Sequence, residues 1–219
     1  MKIIIAIIIV VAIVAAFLYF NQPKKEKRLS TSSFSSFDST KEMTILDSAV
    51  SFGYKCMWIA VKTNDKAKIA EILEIKNGKP CNWKYGIEQA YQDKVFITPQ
   101  VGQWTLIVGW GLTSFSFKSE LEEVRSFTGK IDKLSKEFGE AQFFVTHRVS
   151  DYQLWAKSIS GKTTRLYCFL GEKGENIAIE GEPTEIEKKF KLVNTFSKEA
   201  KDENYLERTD ILSPDEEFV

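Results

Sequence analysis

The sequence predicts an α+β protein in which a ferredoxin-like (split β-α-β) sandwich follows an N-terminal transmembrane helix. The chain opens on eighteen consecutive residues without a charge, Ile3–Phe20. Between residues 55 and 146, short apolar runs typical of buried strands alternate with segments of helical periodicity, in the order of a split β-α-β unit. Further strand-like runs over residues 150–180 predict a C-terminal β-meander that extends the sheet.

The apolar N-terminal run is predicted to cross a membrane once. A helix rises about 1.5 Å per residue, so the run spans roughly 27 Å, close to the thickness of a hydrocarbon core. The basic residues that follow it are Lys24, Lys25, Lys27 and Arg28, whereas only Lys2 precedes it. The positive-inside rule therefore places the C-terminal domain on the cytoplasmic face of the cell membrane. A cleaved signal peptide is the alternative, although no small-x-small cleavage site follows the run.

The predicted organisation has four parts: a transmembrane anchor (1–20), a basic and Ser-rich linker (21–41), an α+β globular domain (42–196) and an acidic C-terminal tail (197–219). The chain holds 30 Lys+Arg and 30 Asp+Glu. Five of those positive residues and one negative residue lie in the first 28 positions, which leaves 25 positive and 29 negative residues, a net charge of −4, for residues 29–219. This acidic body argues against a nucleic-acid partner, because binding nucleic acid requires clustered basic side chains.

Each element of the domain follows from a local pattern. Cys56–Val61 is an apolar run typical of a buried strand, and Asn64 or Asp65 then caps a helix that ends around Asn77-Gly78. The next elements are a helix over Trp83–Gln92, strands over Val95–Thr98 and Trp104–Trp110, a helix over Lys118–Phe138 that Gly139 ends, strands over Ala141–Thr146, Tyr152–Ser160, Thr164–Leu170 and Asn176–Ile179, and a helix over Glu182–Leu192. The helices are expected on one face of the sheet.

Several motifs in the middle of the chain resemble an uncharacterised family of bacterial proteins. They are FITPQVGQWTLIVG (96–109), FGEAQFFVTHRVSDYQLWAK (138–157) and GEKGE (171–175), with Trp83 and Gly86 before them. Together they cover roughly residues 55–182. One departure is Gln103, where the pattern has glycine directly before the tryptophan. The resemblance implies a bacterial protein and carries no known activity.

The single histidine, His147, is the centre of the weak candidates for catalysis. Asp151 follows it closely and a carboxylate can orient an imidazole, while Cys168 is a candidate nucleophile and Glu175 a candidate acid or base. Ordinary hydrogen bonding at a strand end is the simpler interpretation of His147. A membrane-associated hydrolase or transferase that uses His147 is therefore the alternative function.

The candidate binding residues are Trp155, Trp104, Arg165 and Glu172. Alternation along Tyr152–Ala156 puts Trp155 on the polar side, so it is the aromatic residue expected to be most exposed. One histidine and three scattered cysteines, which are predicted as free thiols, indicate neither a metal site nor a cofactor. The leading hypothesis is a single-pass, non-enzymatic binding module, immunity-like or regulatory, whose partner is another protein.

Overall fold

The computed structural model describes residues 45–53, 55–112 and 120–215. Within these ranges the chain is α+β, with three α-helices and one antiparallel sheet of seven strands. None of the helices in the described ranges is both long and apolar enough to span a membrane. The predicted span Ile3–Phe20 and the predicted linker, 21–41, lie outside the described residues.

The seven strands confirm the predicted strand positions to within two residues at each end. They are β1 (Met57–Val61), β2 (Phe96–Ile97), β3 (Thr105–Val108), β4 (Glu140–His147), β5 (Tyr152–Ile159), β6 (Lys162–Leu170) and β7 (Glu175–Glu180). Their order in the sheet is β2-β3-β1-β4-β5-β6-β7. The last four strands are neighbours in chain order, which confirms the predicted meander. Ser160 and Gly161, with φ of 50° and 85°, form the two-residue turn between β5 and β6.

The three helices are α1 (Lys66–Ile72), α2 (Trp83–Ala90) and α3 (Leu121–Phe138). Asp65 caps α1 by accepting a hydrogen bond from the Lys68 N–H at 2.9 Å. The helix α1 ends before the predicted stop at Asn77-Gly78, whereas Gly139, with φ of 89°, ends α3 as predicted. The helix predicted over Glu182–Leu192 is wrong, because that segment contains only a 3₁₀ turn, Glu187–Lys189.

The first face of the sheet carries the main core, which α1 and α3 cover. Side chains of alternating positions in β1 and β4–β6 contact the apolar stripe of α3 and Ile69 of α1. The fully buried members include Met57, Ile59, Ile131, Leu134, Phe143 and Leu154. This packing follows from the three- and four-residue spacing of apolar side chains in α3.

The second face is formed by the strand positions between those of the first face, and two separate groups of residues pack against it. On one side α2 places Trp83, Ile87 and Ala90 in a cluster with Val108 and with the partly buried Trp58 and Leu106. Because Trp58 alternates with the first-face residues of β1, α2 packs on the face opposite to α1 and α3. The expectation that all helices share one face is therefore wrong.

The second group of residues that packs on this face comes from the C-terminal part of the chain. Val193 and Tyr205 are buried against Trp155, Tyr167 and Phe169. The Tyr205 hydroxyl accepts a hydrogen bond from the Asn194 N–H at 2.9 Å. Part of the segment predicted as an acidic tail thus contributes to the core, because its few aromatic and aliphatic side chains bury against the sheet.

Candidate functional site

A row of aromatic side chains crosses the second face of the sheet. Trp58, Phe144, Trp155 and Tyr167 are successive register partners on β1, β4, β5 and β6. Trp58 stacks on Phe144 with ring centroids 4.2 Å apart, and Trp155 stacks on Tyr167 at 4.3 Å. Register partners face the same side, and stacked aromatic pairs add to the stability that burial alone gives.

A cavity of about 380 Å³ lies beside this row. Phe144 and Trp155 line it together, and we call it the aromatic slot. Its remaining walls come from β4–β6 and from the C-terminal segment, namely Gln142, Ala156, Lys157, Arg165, Thr184, Glu185, Ile186 and Glu187. Its volume is within the range of sites that bind a drug-sized molecule or a large side chain.

A buried ion pair closes one end of the slot. Glu187 Oε1 accepts hydrogen bonds from Arg165 Nε (2.8 Å) and Nη2 (2.5 Å), and from Trp155 Nε1 (3.0 Å). The side chains of Arg165 and Glu187 are only 6% and 3% exposed. Burial opposes ionisation of Glu187, but hydrogen bonds from Arg165 and Thr184 outweigh it and lower its pKa. The pair therefore fixes the C-terminal segment to the sheet.

A polar cluster around Glu140 lies beside the slot, and two of its members, Gln142 and Lys157, line the cavity. Glu140 Oε1 lies 3.0 Å from Lys157 Nζ and 3.0 Å from Gln142 Nε2, and the other Glu140 oxygen accepts from Lys62 Nζ. Burial opposes ionisation of Glu140, but these three donors together lower its pKa to about 2. Lys62 and Lys157 each keep more than a third of their side-chain surface exposed. The cluster therefore places two ammonium groups around one carboxylate.

No protein-family model, curated protein or solved structure matches this chain.

The structure brings two of the four predicted binding residues together. Trp155 and Arg165 both line the slot, yet Trp155 is only 7% exposed rather than open to solvent, because the segment around Glu187 and Val193 covers it. Trp104 lies outside the slot, with Lys62 Nζ 4.9 Å from its ring centroid. Glu172 is exposed in the 3₁₀ turn Gly171–Lys173, away from the other three.

The contacts that the structure describes for the weak catalytic candidates go to separate groups. The partner of His147 Nδ1 is Ser150 Oγ, at 2.8 Å, and burial together with the positive charge of Lys55 lowers the pKa of His147. Asp151 accepts from Gln153 Nε2 at 3.3 Å, and Glu175 Oε1 is 3.9 Å from Lys173 Nζ.

Cys168 is in the main core, fully buried opposite Leu154. Burial raises its pKa to about 12, so it is a neutral thiol at physiological pH. None of the three cavities described on this domain is lined by His147. Among the described residues, no three or more His, Cys, Asp or Glu side chains are grouped so that they can hold a metal ion.

Sequence reasoning missed most of the slot. Phe144 is not among the predicted site residues, although it follows from the same kind of alternation that placed Trp155, since Phe143 and Phe144 must point to opposite faces. That alternation puts Lys157 on the side of Trp155, but Lys157 is not among the predicted binding residues either. Two features of the sequence could have indicated that Glu187 belongs to the site. An arginine that alternates with Tyr167 and Phe169 needs a buried acidic partner, and Thr184 stands three residues before Glu187 in the spacing of a capping box.

Proposed function

We propose that this chain is a membrane-tethered, non-enzymatic protein-binding module, immunity-like or regulatory, whose ferredoxin-like domain binds its partner through the aromatic slot. The observation that carries this proposal is the slot itself, with a large exposed apolar side chain on its rim. Ile186 is 66% exposed and lines the cavity next to Trp155 and Lys157. Interfaces between proteins are enriched in aromatic residues, and Phe144 and Trp155 line the cavity.

The strand arrangement supports the ferredoxin-like part of the proposal. In the β1–β4 unit the spatial order is β2-β3-β1-β4, with α1 and α2 between β1 and β2, and α3 between β3 and β4. A split β-α-β unit has this chain order. The three strands β5–β7 extend the sheet beyond β4, and β5 and β6 contribute four of the ten residues that line the slot.

A partner protein fits this surface better than a small molecule alone. Beyond Ile186, Phe190 on the same segment is 46% exposed and lines a second cavity next to Arg165 and Glu187. Apolar surface therefore continues along the C-terminal segment past the slot, and extended apolar surface of this kind marks interaction sites.

The predicted N-terminal anchor and the resemblance to an uncharacterised bacterial family complete the proposal. The basic residues after the predicted anchor support a position of the domain at the cytoplasmic face of the membrane, where the slot would meet a membrane-bound or cytoplasmic partner. The alternative, a hydrolase or transferase that uses His147, has less support, because His147 bonds Ser150 and lies outside the three cavities described above.

Site-specific photo-crosslinking in intact cells tests the proposal. A benzoyl-phenylalanine at position 186 of the full-length chain should give one discrete adduct of reproducible mass. The same probe at Val149, which is 78% exposed in the turn between β4 and β5, is the matched control and should not give that adduct. If position 186 gives no discrete adduct, or the same one as position 149, the proposal is wrong.

A further inference from the structure

We propose that the segment 45–53, which is attached to α2, docks on the surface of the bilayer that holds the predicted anchor. This inference rests on the proposed function, because it uses the predicted membrane tether, and it names the surface through which the domain meets the lipid. It has three parts, namely a fixed segment with exposed apolar side chains, lysines beside that segment, and a short connection to the anchor.

The segment is fixed to α2 at both ends. Asp47 accepts hydrogen bonds from the first two N–H groups of the helix, those of Trp83 at 2.7 Å and Lys84 at 2.9 Å. These groups have no partner within a helix, so an acidic side chain is well placed there. At the other end of the segment, the Tyr91 hydroxyl accepts from the Gly53 N–H at 2.9 Å. The course of the segment is therefore part of the fold.

Three large apolar side chains of this segment nevertheless face the solvent. Leu46 is 96% exposed, Ile45 62% and Val50 40%. Phe52, by contrast, packs against the cluster that α2 forms with the sheet, with its ring centroid 5.9 Å from that of Trp58. We call the three exposed residues the α2 patch. They gain free energy by leaving water for an apolar phase, and such surface marks sites of interaction with proteins or membranes.

Two exposed lysines lie next to the α2 patch. The side-chain amide of Asn82 donates to the Ile45 carbonyl oxygen at 3.0 Å, which places the start of α2 beside the patch. Lys79 precedes Asn82 by three residues and Lys84 follows it by two, and both are exposed. A lysine next to inserted apolar side chains keeps its ammonium group at the level of the headgroups, where anionic lipids attract it.

Two acidic side chains accompany these lysines. Both oxygens of Asp47 accept from N–H groups of α2, so the positive end of the helix dipole offsets its charge. Glu88 is exposed one turn after Lys84. The patch therefore has no large excess of charge. The apolar side chains supply most of the expected attraction to the bilayer, and the lysines add to it when the lipid is anionic.

The connection to the predicted anchor is short enough for this docking. The predicted span ends at Phe20, and the 24 residues 21–44 separate it from Ile45. A chain of that length without regular structure has an end-to-end distance of roughly 27 Å, from about 5–6 Å times the square root of the residue number. The α2 patch begins where this connection ends, so the tether holds it near the headgroups at a high effective concentration.

A bilayer suits this patch better than a second protein molecule does. A stable protein interface buries about 800 Å² on each partner and involves roughly 20–30 residues a side. Three aliphatic side chains supply much less surface than that. They are sufficient for a tethered domain, because the anchor has already brought the domain to the bilayer and only the orientation remains to be fixed.

Spin labels on the full-length chain in lipid nanodiscs test the inference. The label is attached at Leu46→Cys in the Cys81→Ser chain, whose two other cysteines are buried. Its collisions with oxygen, which concentrates in the bilayer, are compared with its collisions with a water-soluble nickel chelate. Oxygen collisions should dominate at position 46. At Lys133→Cys, an exposed position on α3 across the sheet from α2, nickel collisions should dominate.

A label at Val50→Cys then reports the effect of substitutions in the patch. Leu46→Ser should lower the ratio of docked to free domains about tenfold, because a leucine side chain no longer leaves water. Lys84→Gln should lower that ratio about fivefold in discs that contain phosphatidylglycerol and should not change it in discs of phosphatidylcholine alone. Lys133→Gln is the matched control and should change the ratio in neither lipid.

Several results would overturn the inference. They are a label at position 46 that stays in water, equal oxygen collisions at positions 46 and 133, and no effect of Leu46→Ser. Discs with two chains, in which the label at 46 is shielded from both reagents, would assign the patch to a second copy instead. If the crosslink at position 186 forms and the label at 46 stays in water, this inference fails alone. If the chain does not enter the discs, the membrane tether of the proposed function fails with it.

Discussion

Replacing Glu187 by glutamine removes the negative charge that balances the buried guanidinium of Arg165. The carboxylate accepts four hydrogen bonds, three on Oε1 from Arg165 and Trp155 and one on Oε2 from the Thr184 N–H at 2.7 Å. Arg165 also donates from Nη1 to the carbonyl oxygens of Glu180 and Gly181. The variant therefore leaves a buried cation with neutral acceptors only.

The expected cost follows from this enclosure. Breaking a buried ion pair from one side destabilises a protein by about 3–5 kcal/mol, because the remaining charge stays buried without its counter-ion. We expect about 3 kcal/mol for Glu187→Gln, at the lower end of that range, because glutamine Oε1 still accepts from Arg165. Replacing both partners with apolar residues, Arg165→Met with Glu187→Leu, should cost less than the single change.

Urea unfolding of the full-length chain in detergent, followed by near-ultraviolet circular dichroism, measures these free energies. The denaturation midpoint of Glu187→Gln should fall while the dependence on urea stays constant. The matched control is Glu185→Gln, because the side chain of Glu185 is 88% exposed and forms a surface pair with Lys188, so its cost should stay below about 0.5 kcal/mol.

The effect of Glu187→Gln should also depend on pH. The pKa of Glu187 in the folded chain is lower than the ordinary value of 4.5, so the carboxylate stabilises the fold above about pH 4.5. That contribution is lost as the pH falls through the folded pKa, and the difference between the wild-type chain and the variant should shrink in acid. A cost equal to that of Glu185→Gln, or one that does not change with pH, would refute this account of the ion pair.

Three further predictions concern other parts of the domain. Gly86→Ala should destabilise the fold by about 1–3 kcal/mol in the same urea assay, because an added Cβ would lie 2.4 Å from the Phe96 ring. Gly129→Ala in α3 should instead stabilise the fold by about 0.5–1 kcal/mol, because nothing lies within 4 Å of the added Cβ and alanine favours a helix. Glu140→Gln should cost about 1–2 kcal/mol at pH 7, because the pKa of Glu140 is lowered to about 2 and solvent around its partly exposed lysine partners weakens the ion pairs. The loss should disappear as the pH falls from 4.5 towards 2, and a constant difference in stability across that interval would contradict the prediction. Cys81 is partly exposed and should react first with a thiol reagent in the native chain. Cys56 and Cys168 are buried, with pKa values raised to about 11 and 12, and should react only on unfolding. Cys81→Ser should therefore remove the reaction of the native chain.

The sheet was predictable from sequence because its strands have clear local signals. Apolar runs mark β1 and β4, with Asn64 after the first and Gly139 directly before the second, and the apolar strands β5 and β6 flank a short turn at Ser160-Gly161. The helix α3 was predictable for the same reason, since Val124, Ile131 and Leu134 repeat at helical spacing and lie in the main core. These signals depend only on neighbours in the chain.

The side of the sheet on which α2 packs was not predictable in this way. The spacing of Trp83 and Ile87 shows that one side of the helix is buried, but not against which face. The structure assigns it to the second face, where Gly86 allows the Phe96 ring to approach the helix backbone closely. The aromatic row lies on this second face as well, and α2 packs against its first member, Trp58.

The segment Thr184–Glu187, which lines the slot, contains a local signal for a helix although no helix forms there. Glu187 N–H donates to Thr184 Oγ1 at 3.2 Å and Thr184 N–H donates to Glu187 Oε2 at 2.7 Å, which is a capping box and normally begins a helix. Here Phe190 is extended, and the Val193 carbonyl accepts from the Tyr167 hydroxyl at 2.7 Å. An isolated helix of about eleven residues is marginal in water. Long-range bonds from β5 and β6 to Glu187 and Val193 therefore decide the conformation, and no pattern within residues 182–192 contains them.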